Sequence, residues 1–125
     1  MSENDGTTAY PDWPWPDSLD ALQAAPAHHK RLLENERVRV IHTHILPGDI
    51  VPLHTHRWCG VAHVISTSDF IRRDHSGNIV FDSREAVAQV EASAVQWLKA
   101  LPPHTVENLG TSPISVIVVE LKDSR

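Results

Sequence analysis

An all-β fold, arranged as a sandwich or a barrel, is what this chain predicts. Three features lead there: short β-branched runs recur, turns rich in Gly, Pro and Asn separate them, and helical composition competes in only one later segment. Residues 1–16 come first and read as an arm. The stretch Tyr10-Pro11-Asp12-Trp13-Pro14-Trp15-Pro16 carries prolines that fix φ and remove donors, so neither helix nor central strand forms. Two tryptophans are costly to leave wet, so the arm is expected to dock on the domain or on a second subunit; a disordered tail is the competing reading.

Asp17 or Ser18 can cap a short helix with Leu19, Leu22 and Ala25 on one face, stopped by Pro26. Residues 38–46 then form a β-branched strand that ends at the Pro47-Gly48 turn. Residues 61–66 and 70–73 are short strands, 74–78 a hairpin loop leading into 79–81, and 114–121 the clearest strand. Residues 85–95 are rich in helix formers, yet Val87, Gln89 and Glu91 alternate with Ala86, Ala88 and Val90, and the neighbouring strands favour β. The organisation expected is an N-terminal arm and short helix over residues 1–33, followed by a β-barrel domain over 34–125.

A chain of 125 residues fits one domain, which buries roughly two-thirds of its unfolded surface. Its 16 acidic and 11 basic residues give a net charge of −5, and with no Lys/Arg run a nucleic-acid surface is not expected. No apolar stretch approaches the roughly 20 residues of a membrane span. The polar start lacks the positive charge of a secretory signal. The single cysteine, Cys59, forms no internal disulfide, which makes a reducing, cytoplasmic setting the default.

Histidine is the unusual residue: nine are present, six of them in the pairs His28/His29, His42/His44 and His54/His56. On a strand, residues i and i+2 share a face, so His54 and His56 present two imidazoles side by side, a spacing suited to two cis positions on one metal ion. A third candidate is His104, which two prolines precede.

These residues resemble the motifs of the cupins, small β-barrels with a metal in the barrel mouth. Gly48, His54 and His56 fit the family's Gly-x5-His-x-His, and His104 with Asn108 fits its later His-x3-Asn. The departures are equally specific. Gly60 and Val61 stand where the family glutamate falls, Lys99 and Leu101 where Pro-x-Gly is usual, and Ser68 where a closing glycine is usual. The resemblance implies a cupin-type, jelly-roll-like barrel, often a homodimer, with metal ligands His54, His56 and His104 and no carboxylate. That set is similar to the three-histidine subset, whose thiol and diketone dioxygenases bind ferrous iron. The run from His54 to Val61 is similar to the thiol-dioxygenase run, but the Ser-x-His-x-Tyr relay of those enzymes has no counterpart in residues 114–121, so their substrate is not transferred.

Three neutral imidazoles leave the full charge on a divalent ion and leave coordination positions open, which favours an anionic, chelating small molecule with room for O₂. The expected function is therefore a non-haem Fe(II) dioxygenase acting on a small anionic or chelating substrate. Zinc, nickel, manganese and copper remain alternatives for the metal, and an isomerase, a lyase or a non-enzymatic small-molecule-binding module for the function. The other polar residues have plainer expectations. His42 and His44 repeat the tripeptide and face the cavity or a subunit seam. Cys59 is a buried thiol, with ligation as the alternative, and His63 points away from the ion. Trp58 and Trp97 are wall or core. Arg57, Arg72 and Arg73 are solvated or bind a substrate carboxylate. Glu107 lies on the face opposite His104.

Overall fold

A computed structural model describes residues 13–86 and 91–123. After a 3-10 turn at Asp17–Leu19 and a single-turn helix α1 (Ala21–Ala24), every regular element apart from one further 3-10 turn is a strand: β1 (His29–Glu34), β2 (Val38–Ile45), β3 (Ile50–His56), β4 (Gly60–Ser66), β5 (Phe70–Asp74), β6 (Ile79–Asp82), β7 (Val95–Leu98), β8 (Leu101–Asn108) and β9 (Ile114–Leu121). They form two antiparallel sheets, ordered β1-β2-β9-β4-β7 and β3-β8-β5-β6. The turns are where glycine permits them: Gly48 and Gly77 take positive φ, at 84° and 88°, in the β2–β3 and β5–β6 connections.

Alternation places the core. In β4, Gly60, Ala62 and Val64 are buried and their neighbours exposed; in β2, Ile41 and Ile45 are buried. Ile45, Val51, Ile114 and Ala25 pack together between the sheets, with Phe70, Val106 and Val116 against them. The outer face of the five-stranded sheet is apolar as well, with Val61, Ile65, Val95 and Trp97 exposed.

The structure differs from the sequence expectation at four places. The helix cap is Asp20, whose carboxylate accepts from the Leu22 amide, because the chain first closes a 3-10 turn at Asp17–Leu19. The boundary drawn at residue 34 falls inside a strand, since β1 begins at His29 and pairs with β2. Its hydrophobic pattern is absent because only its first residue is buried. In the ambiguous stretch 85–95, Asp82 accepts from the Arg84 amide and starts a 3-10 turn at Ser83–Glu85, Ser93 at φ 70° turns the chain, and among the described residues only Val95 joins a strand. Residues 87–90 of that stretch lie outside the described residues. Of the arm, Trp13 and Pro16 line a small cleft with Arg39, Thr55, Arg57 and Trp58, so the described end of the arm does dock on the barrel.

Asp20 does more than cap the helix. Its two carboxylate oxygens accept from the Arg39 guanidinium at 2.8 and 3.0 Å, a bidentate pair that ties the N-terminal segment to β2. Asp20→Ala removes the cap and half of the compensation of a buried cation. We expect a loss of about 3 kcal/mol, read as a lower urea midpoint at unchanged m-value.

Candidate metal centre

The two sheets enclose a cavity of about 440 Å³, and at one end of it imidazoles converge. His54 on β3 lies opposite His104 on β8 in the strand register, and their ring centroids are 4.3 Å apart. His56 follows two residues after His54, 4.9 Å from it and 5.6 Å from His104. All three sequence-expected residues are thus brought into one cluster. His29 joins them from β1, 4.8 Å from His54 and 5.3 Å from His56. One nitrogen from each of His29, His54 and His56 lies within 4.8 Å of the others, a set that can hold a metal ion.

The outward-facing nitrogens decide the tautomers. His54 Nδ1 lies 2.7 Å from the Pro52 carbonyl, and His104 Nδ1 lies 2.7 Å from the Pro102 carbonyl. His29 Nδ1 lies 3.0 Å from the Ala25 carbonyl, and His56 Nδ1 lies 3.3 Å from the Glu120 carboxylate. Carbonyl and carboxylate oxygens only accept, so each Nδ1 carries the proton and each Nε2 keeps its lone pair. Metal-binding histidines are held in this way, with one ring nitrogen donating to protein and the other left bare. The Pro-x-His pattern occurs in both strands, and each proline carbonyl fixes the ring two residues on.

Burial keeps the His29, His54 and His104 rings neutral. It is the main reason the His29 pKa falls to about 4, helped by the charge of His56 and opposed by the Ala25 carbonyl. It lowers His104 to about 3, together with His56 and against the Pro102 carbonyl, and Arg72 adds to the depression. His54 is pushed furthest, again by burial first and then by His56 and His104.

Gly60 explains the missing acid. A side chain there would place its Cβ 2.5 Å from the Val119 carbonyl oxygen of the paired strand, so no residue with a Cβ fits without moving backbone. A carboxylate does reach the site, from directly across the ladder. Glu120 on β9 pairs with Gly60 and is fully buried. One of its oxygens accepts from Arg39 Nε at 2.7 Å and the other faces His56, so it orients an imidazole. Burial alone would depress the Arg39 guanidinium, but the carboxylates of Asp20 and Glu120 outweigh it and hold Arg39 charged.

The remaining candidates separate clearly. His42 and His44 point away from the cavity that Thr43 and Ile45 line; His42 bonds Ser115 Oγ at 2.7 Å and His44 is exposed. Cys59 is buried and lies outside the cavity lining, and His63 is on the exposed side of β4. Trp58 lines the cavity beneath Arg39, whereas Trp97 is exposed on the outer face, neither wall nor core. Arg57 is exposed, Arg73 pairs with Glu107 at 3.3 Å, and Arg72 alone of the three lines the cavity. His29 and Glu120 are the residues the sequence reading missed. His29 had only its pairing with His28 to mark it, and Glu120 only the oddity of an acid inside an apolar strand.

The double-stranded β-helix with histidines in its mouth is the cupin fold. Among solved structures, a cupin domain from Bordetella pertussis Tohama I superposes with TM-score 0.60 at 19% identity, over 74% of this chain and 90% of that one. An RmlC-like cupin family protein from Methanocaldococcus jannaschii gives 0.52 at 12% identity, over 74% and 77% of the two chains. An uncharacterized conserved protein with a double-stranded β-helix domain from Klebsiella pneumoniae gives 0.50 at 22% identity, over 78% and 81%. No protein-family model matches the chain, and a comparison with curated proteins finds no relative. Among the described residues no helix is long and apolar enough to cross a membrane.

The neutral cluster dictates an acid response. The unfolded chain takes up protons on these histidines near pH 6.5, while the folded chain resists until about pH 4 at His29 and about 3 at His104. Stability is therefore complete above pH 6.5 and falls as the pH drops towards 4. With chelator present, we expect a loss of about 2 kcal/mol per buried histidine between pH 7.5 and 5, read from urea midpoints. His104→Gln should flatten that slope.

Proposed function

We propose that this chain is a metal-dependent enzyme in which His54, His56 and His104, with His29 beside them, hold one divalent transition metal, Fe(II) first among them, and that it is a dioxygenase for a small anionic or chelating molecule. One observation carries the metal reading: four clustered imidazoles all have Nδ1 tied to a protein acceptor and Nε2 left bare. A polar pocket without an ion has no need of four rings fixed in one tautomer. The donors are neutral and aromatic, which suits iron, zinc, nickel or copper. Ferrous iron, when bound, supplies Lewis acidity and the electron transfer that O₂ chemistry requires.

The chain's own contribution is geometric and electrostatic. Pro52 and Pro102 hold two rings, Ala25 a third, and Glu120 the fourth. Ile45, Val51, Val64 and Val106 line the cavity and keep it poor in water. Gly60 lines the cavity and lets β9 close against β4, which places Glu120 beside His56. The second reading is a Lewis-acid isomerase or lyase. It is favoured by the all-imidazole donor set, because neutral imidazoles suit zinc as well as iron and zinc polarises a carbonyl without O₂.

Protein purified without added ions is expected to carry close to one transition metal per chain by elemental mass spectrometry, and His104→Ala to lose most of it. Equal metal in both samples would remove His104 from the site. Glu120→Gln should weaken metal affinity roughly 10–100-fold, measured by competition with a chelator. Iron-loaded protein should consume O₂ with a small acid, thiol or diketone from a broad panel. Turnover of the same panel under nitrogen with zinc would favour the isomerase or lyase instead.

A further inference from the structure

Four buried side-chain polar atoms lack a partner among the described residues: Trp15 Nε1, His28 Nδ1, Ser68 Oγ and Arg72 Nε. Two of these, Ser68 and Arg72, line the same cavity as the imidazole cluster. A buried polar group without a partner costs free energy, and a buried guanidinium costs more, so two of them on one cavity wall call for an acceptor supplied from outside the chain.

Arg72 is placed for that role. It stands on β5 opposite Val106, and two residues along β8 from Val106 is His104. Diagonal neighbours of this kind lie roughly 7–8 Å apart, within the span of a small molecule that reaches both. The charge of Arg72 is already felt at His104. Among the described residues no carboxylate pairs with it: Asp82 is taken by Arg84, Glu107 by Arg73, and Glu120 by Arg39 and His56. Its guanidinium carbon lies 5.9 and 5.7 Å from the rings of Phe70 and Phe81, themselves stacked at 5.2 Å. The rings compensate part of the charge but offer no acceptor for the Nε–H. The wall of the same cavity includes the apolar side chains of Val106, Val64, Ile45 and Val116.

We propose that Arg72 forms an oxyanion-binding pole of this cavity, and that the molecule bound there is a carboxylate with an apolar body, its acid group on Arg72 and its opposite end at the imidazole cluster. The proposal deepens the functional reading above, and rests on it for the claim that the cavity is a substrate site. A single guanidinium and an apolar wall fit a monocarboxylate better than a phosphate dianion. The acid would bind away from the metal, leaving the imidazole end for the reacting group.

The test uses the full chain, as purified and after chelator treatment, at pH 8, where the cluster imidazoles are neutral. Phenylacetate and its uncharged counterpart 2-phenylethanol are titrated by calorimetry into wild type, Arg72→Met and Arg72→Lys, and metal content is measured on the same samples. We expect phenylacetate to bind wild type at least tenfold more tightly than 2-phenylethanol in both forms. Arg72→Met should erase that preference and Arg72→Lys restore part of it, with metal content unchanged in both. Should a variant fail to fold, the Arg72 Nε–H resonance of ¹⁵N-labelled wild type must still shift with phenylacetate and stay put with the alcohol. No preference in wild type, or a preference that survives Arg72→Met, overturns the proposal. A surviving preference confined to metal-loaded protein assigns the carboxylate to the ion, and leaves the metal reading standing. An Arg72-dependent preference in a chain that binds no metal does the reverse.

Discussion

The buried guanidinium of Arg39 is the constraint on which the rest of this structure turns. It lies over the Trp58 ring and is satisfied from two directions, by Asp20 of the N-terminal segment and by Glu120 of β9. Removing either acid leaves a cation in a poorly solvated place, so the N-terminal turn, β2 and β9 are coupled through one side chain. The remaining oxygen of Glu120 faces His56, which extends the chain of charges to the cavity. A segment that looks like a preface to the barrel is therefore part of the frame that aims a ring.

The cavity has two kinds of wall. At one end burial forbids charge on His29, His54 and His104, and each of the four imidazoles presents a lone pair because its other nitrogen is committed. Further along β5 stands a permanent cation, since a guanidinium stays protonated even where burial pulls its pKa down, as it does for Arg72. Neutral imidazoles take up a metal ion without first releasing a proton, while the arginine cannot be silenced by pH. A molecule with one acidic end and one neutral donor end reads both.

Much of this was legible in the sequence because β-branched runs bounded by turn residues, and the i, i+2 spacing of residues that share a strand face, leave a local mark. The strands at 38–45, 60–66, 70–74 and 114–121 follow from it nearly to the residue. His54 and His56 were legible for the same reason, and His104 through its prolines. Position 60 was legible as a lost acid, though the cause, a close carbonyl on a neighbouring strand, is a tertiary fact. What stayed hidden lacked a periodic signal. Edge strand β1 buries only His29 and exposes the next five residues, so its charges and leucines carry no alternation to read. Asp20 was obscured by Asp17, an equally good capping residue, and only the 3-10 turn separates their roles. Residues 85–95 gave conflicting local preferences, and a serine in the left-handed region settled the path near their end.

Gly60 has a consequence for how such a site can change over generations. The barrel around it has closed to the point that Val119 occupies the space a Cβ needs, and Glu120 has become committed to an arginine and a histidine. An acidic ligand at that position would require backbone displacement in two strands together with a new counter-ion arrangement, which no single codon change provides. Position 60 is thus locked by its neighbours, and the room for one-at-a-time side-chain exchange lies on the opposite wall and the edge strand.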